Sequence, residues 1–255
     1  MTNPWEKIFE HDFEDAYKIA DKNYLQSAED FYLRARAKSS LLLRNYNTAL
    51  ADFLLLIEIE KNSNRKYDGT YMDIGLCYYA LGDIENAIDY FKYPIINKKE
   101  KMGTSDTSVP PCVLLFIGVK SGRQDIVKIA MKELKMASKF KTAAPNYLLG
   151  TFSEIELDNE FQQYSNATMR NRKQCKVEFY KAIHYLQNGL NEKYKHHIKG
   201  CVELTGTYLE FEYYIAKVEY EIYLNGSHED KSSFWQRIFD LFRTNKKSRP
   251  KPGSF

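Results

Sequence analysis

The stretch that decides the fold is Asp68–Lys101, DGTYMDIGLCYYALGDIENAIDYFKYPIINKKEK. Tyr71, Ile74, Gly75 and Tyr78 recur every three to four residues, Leu81-Gly82-Asp83 interrupts them, and Ala87, Ile88 and Phe91 resume the pattern. This periodicity specifies a helix, a tight turn and a second helix, with small residues where the two backbones approach. One such pair leaves its apolar faces uncovered, so the spacing predicts stacked neighbours.

Related patterns flank it. Asn3-Pro4 opens a segment in which Trp5, Ile8, Phe9, Phe13, Ala16, Tyr17 and Ala20 share one face through to Asp21, with proline where its missing N–H costs nothing. Ser27 can cap a second pair: Leu33, Ala37, Ser40 and Leu43, a turn at Asn45-Tyr46-Asn47, then Ala49, Phe53 and Leu56. Asn62–Lys66 and Asn97–Pro111 read as linkers. Cys112–Val119 reads as a buried helix, with a strand as the alternative, and Ser121-Gly122-Arg123 turns it into Ile126, Val127, Ala130, Met131 and Leu134. Tyr147–Gly150 and Glu154–Phe161 are short and irregular. Beyond Asn171 the pattern returns in Val177, Tyr180, Ala182 and Tyr185, a turn at Gln187-Asn188-Gly189, then Tyr194, Ile198 and Cys201. Thr207–Leu224 reads as a final capping helix with Glu210, Glu212, Glu219 and Glu221 on its wet side. Asn225-Gly226-Ser227 ends it, a short amphipathic helix SSFWQRIFDLFR follows over Ser232–Arg243, and a basic tail closes the chain.

The placement of Tyr71, Gly75, Tyr78, Gly82, Ala87 and Phe91 resembles the tetratricopeptide repeat, a helical pair of about 34 residues. The family's small residue late in the second helix falls on Pro94, and its closing proline on Lys99. Asp30–Ser63 fits as a more degenerate copy, with Arg36 and Ala37 in place of the usual apolar-glycine pair. The resemblance implies an all-α fold: a right-handed superhelical solenoid of stacked antiparallel helix pairs over residues 1–224, with 225–255 forming linker, amphipathic helix and flexible tail. It also implies that first helices line a groove for a peptide or folded domain. Carried over by position, the groove-facing residues are Arg34, Lys38, Met72, Leu76, Tyr79, Phe116, Lys120, Phe179 and Ile183. Aromatic and apolar anchors with a few bases suit a partner carrying apolar side chains and some acid. The same aromatics could instead fill the inner layer of the superhelix.

Composition agrees with helices. Hydrophobic residues make up 44% and aromatics 15%, with 20 Tyr and 15 Phe, while glycine (12) and proline (7) are sparse. Net charge is +3, and the segment from Asn225 onward, with seven Lys/Arg against three Asp/Glu, leaves the body near −1. Charge therefore argues against nucleic-acid binding by the body. Four scattered cysteines, an acidic start without a signal-length apolar run, and apolar runs too short to cross a membrane make a reducing cytoplasm the expected compartment.

Chemistry is poorly supported. His196-His197 and Cys201 offer an incomplete metal set, so neither metal nor cofactor is expected. The acids Glu154, Glu156, Asp158 and Glu160 read as a solvated face rather than an acid–base pair, and Gly118–Gly122 lacks the spacing of a phosphate loop. A helical hydrolase or nuclease would rest on that acidic run alone. The expectation is a non-catalytic protein that binds a dedicated protein partner; by analogy of style rather than motif, one such class is the bacterial immunity protein that neutralises a cognate toxin. The rival reading is an adaptor that self-associates through Trp235, Ile238, Phe239 and Phe242. That short helix could otherwise cap the solenoid, dock a partner, or touch an anionic membrane surface weakly.

Overall fold

The computed structural model describes residues 2–63, 68–97, 108–140 and 142–224. Among them every regular element is helical: α1 (Pro4–Phe9), α2 (Phe13–Ser27), α3 (Asp30–Leu42), α4 (Tyr46–Asn62), α5 (Asp68–Ala80), α6 (Ile84–Ile96), α7 (Val109–Lys120), α8 (Gln124–Ala137), a 3-10 turn (Ser138–Phe140), α9 (Ala143–Leu148), α10 (Glu154–Gln162), α11 (Ala167–Gln187), α12 (Asn191–Glu203) and α13 (Phe211–Leu224). The strand alternative for 112–119 is excluded by α7. None of the described helices is long and apolar enough to cross a membrane. The expectations for the amphipathic helix and tail, including Trp235, Ile238, Phe239 and Phe242, lie outside the described residues.

Among the described residues one turn recurs six times and organises the chain. After α5, Gly82 takes a left-handed conformation (φ 81°), its N–H donates to the Tyr79 carbonyl, and the Asp83 N–H donates to that of Tyr78. This paired closure satisfies carbonyls that the helix end would otherwise leave open. The same two bonds, at the same offsets, close α1 at His11, α3 at Arg44, α7 at Gly122, α9 at Gly150 and α11 at Gly189. His11 and Arg44 reach positive φ (63° and 64°) without glycine's freedom. The first segment, expected to run unbroken to Asp21, is therefore itself a hairpin, interrupted at His11. Among the described residues six hairpins result: α1–α2, α3–α4, α5–α6, α7–α8, α9–α10 and α11–α12.

The turn sets a common register. Seven residues before it stand Ala37, Gly75, Leu115, Ala143 and Ala182; five after it stand Ala16, Ala49, Ala87, Val127, Ile155 and Tyr194. At Gly75 the reason for a small residue is direct, because an added Cβ would lie 2.5 Å from two ring atoms of Phe91. Successive helices pack against one another along the chain. The α9–α10 pair is short, so α11 reaches past it to pack on α7 as well, which brings the Phe116 and Phe179 rings to 5.6 Å. A continuous core runs from Ile8 to Val218. Pro94 is buried inside α6 near its end, and the helix continues beyond it to Ile96.

Candidate interaction site

α13 runs beside α3, α5, α7 and α11 and in their direction. Leu209–Glu212 sit beside Arg34, Gly69 and Val109, at the N-terminal ends of α3, α5 and α7. Glu219 meets Tyr79 and Lys120, and Glu221 meets Arg44, all at the opposite ends. The expected wet side is thereby overturned. Glu212 and Glu219 are each 1% exposed and Glu210 8%, and Tyr214, Ile215, Ala216 and Val218 are also buried. A terminal cap would show one dry stripe; a helix buried almost all round belongs to the core.

Carboxylates buried this deeply need partners, and the surrounding helices supply them. Glu219 accepts hydrogen bonds from the Tyr79 and Tyr194 hydroxyls, and Lys120 Nζ lies 2.9 Å from its Oε2. Lys120 Nζ also sits 5.1 Å from the centroid of the Tyr194 ring. Burial, reinforced by the Glu219 charge, pushes both phenols well up; burial also pulls the Lys120 ammonium down, although Glu219 opposes it. Tyr46 donates to Glu221 at 3.2 Å. Arg172 and Lys176 bind Glu210 at 2.5 and 3.2 Å, and Tyr180 donates to Glu212 Oε1 at 2.5 Å. Among the described residues Glu212 Oε2 finds no hydrogen-bond partner, and burial raises that carboxyl above its usual range.

Most of the residues assigned to the groove are buried, and Lys38, Tyr79 and Lys120 meet α13 instead of an open surface. Met72, Leu76, Tyr79, Phe116, Phe179 and Ile183 are at most 4% exposed, and the Lys120 side chain is 6% exposed. Arg34 binds Glu60 and Thr70. Lys38 binds Asp73 at 2.7 Å, with its Nζ 4.4 Å from the centre of the Tyr214 ring. Tyr194 is buried, and its length carries the hydroxyl through to Glu219. Sequence reading missed Tyr194, Lys176, Tyr214 and the acids of α13. The signal available was the unbroken apolar run Tyr213-Tyr214-Ile215-Ala216, which no one-sided helix displays.

One cleft of about 320 Å³ stays open at the start of α13, lined by Arg34, Lys38, Met72, Asp73, Val109, Lys176 and the Leu209–Glu212 turn. Leu209 is 47% exposed at its edge. A smaller cavity of about 200 Å³ lies between Ser108, Thr142, Leu157, Lys173 and Tyr180.

The remaining chemical candidates are engaged structurally. Glu156 closes a capping box with Ser153, Glu154 accepts from Tyr185 and Tyr147, and Asp158 pairs with Lys181 at 2.7 Å. His197 Nδ1 lies 2.7 Å from Glu178, and its ring stacks on Tyr185. Among the described residues no group of three or more His, Cys, Asp and Glu could hold a metal ion. No family model and no curated protein matches the chain.

Proposed function

We propose that the chain is a tetratricopeptide-type protein, its hairpins stacked as a right-handed superhelix, that binds another protein and performs no chemistry of its own. The observation that carries this reading is α13 itself: the first helices of the hairpins already hold a helix through buried tyrosine, lysine and glutamate contacts. Helix-in-groove recognition uses the same geometry between chains. With α13 in place, a cleft stays open beside Leu209, and three residues assigned from sequence, Arg34, Lys38 and Met72, line it. A partner segment with an apolar anchor and a hydrogen-bond donor for Glu212 suits it, in a cytosolic setting where the partner could be a toxin.

The test is titration against the product of the adjacent reading frame. A one-to-one complex is expected, and Leu209→Glu should weaken it at least tenfold, with little effect on the melting temperature because the side chain is half exposed. Unchanged affinity in Leu209→Glu, or recovery of copies of the same chain alone, would overturn the reading.

A further inference from the structure

Cys175 on α11 and Cys201 on α12 place their sulfurs 2.7 Å apart, both side chains wholly buried. Four cysteines scattered along the sequence gave no hint of a pair; the pairing arises because Cys175 and Cys201 face each other across the α11–α12 hairpin. Cys201 Sγ also lies 3.9 Å from the Glu212 carbonyl oxygen, so the contact sits at the corner where α11, α12 and α13 meet.

We propose that Cys175 and Cys201 are a disulfide-forming pair, oxidised by a peroxide, whose bond staples α11 to α12 beneath the first turn of α13. One thiol attacks the peroxide to give a sulfenic acid and water. The second thiol then attacks the sulfenic sulfur, forming the S–S bond and releasing a second water, so one hydrogen peroxide yields one disulfide and two waters. The geometry favours the second step over further oxidation, because the resolving sulfur is already in contact. Burial pushes the Cys201 thiol up and bars the oxidant, so the first step is slow and reports opening of the corner under α13. The closed loop of about 26 residues restricts the unfolded chain, so the oxidised form melts higher.

The full chain is treated with hydrogen peroxide, once folded and once during refolding from urea, then alkylated under denaturing conditions and mapped by mass spectrometry. Expected is the loss of two hydrogens in a monomer, with peptides containing Cys175 and Cys201 linked, Cys77 and Cys112 still alkylated, and full reversal by dithiothreitol. A melting temperature several degrees above that of the reduced chain should accompany the link. In Cys175→Ser the remaining Cys201 should pass to sulfinic acid, having no resolving thiol. Four alkylated cysteines in both arms, linkage through Cys77 or Cys112, or sulfinic acids at Cys175 and Cys201 in the unaltered chain would each overturn the proposal.

Discussion

Removing the Glu219 carboxylate tests whether α13 is held by the buried cluster or merely rests on it. In Glu219→Ala the Lys120 ammonium, 6% exposed and 2.9 Å from Glu219 Oε2, loses its counter-charge, and the Tyr79 and Tyr194 hydroxyls lose their acceptor. Breaking a buried pair in this way costs about 3–5 kcal/mol. Lys120 has one escape, which is to release its proton. From an unfolded-state pKa near 10.4, that caps its share at about 4–5 kcal/mol at pH 7 and about 2 kcal/mol at pH 9. The sign follows from proton counts: a lysine with a lowered folded pKa binds fewer protons than in the unfolded chain, so stability rises with pH up to the unfolded value. Lys120 is already lowered by burial, and the substitution deepens that. Urea unfolding at pH 7 and pH 9 should therefore show a loss of about 3–5 kcal/mol that shrinks by at least 1 kcal/mol at the higher pH. Adding Lys120→Met should restore about half of it, leaving the hydroxyls as the remainder. A loss below about 1 kcal/mol, no pH dependence, or strict additivity of the two substitutions would refute the reasoning.

Three further outcomes are expected. Gly75→Ala drives a Cβ into the Phe91 ring and should cost about 1–3 kcal/mol, a loss that thermal melts should find reduced in a Phe91→Leu background. Glu212→Gln keeps an acceptor for Tyr180 and removes a carboxylate whose folded pKa is raised by burial. The native group's stability is full below the unfolded pKa and falls as pH rises through the folded one, so the variant should be the more stable at pH 8 and indistinguishable at pH 4, as read by urea midpoints. Arg36→Met leaves Asp52, 6% exposed, without its two-pronged contact at 2.9 and 2.7 Å. A loss of about 2–4 kcal/mol is expected, and Arg36→Lys should recover only part because a single ammonium cannot reproduce the fork.

The hairpins were legible in the sequence because their causes are local. Period-3.6 apolar positions, a turn at Gly82, Gly122 or Gly189, and small residues at Gly75 and Ala87 each act within a few residues of chain. The break at His11 was not legible, because a histidine carries no turn signal; only the surrounding hydrogen bonds hold it at positive φ. Position in the repeat assigned Arg34, Lys38, Met72, Leu76, Tyr79, Phe116, Lys120, Phe179 and Ile183 to one groove-lining face. What covers that face was decided by tertiary structure alone. Glu219 reads as a surface acid by residue type, and it becomes an interior acceptor only because Tyr79, Lys120 and Tyr194, from 140 to 25 positions upstream, converge on it. Periodicity in a chain records which side chains are dry; the neighbour that dries them is fixed by contacts across the fold, and here it is the molecule's own last described helix.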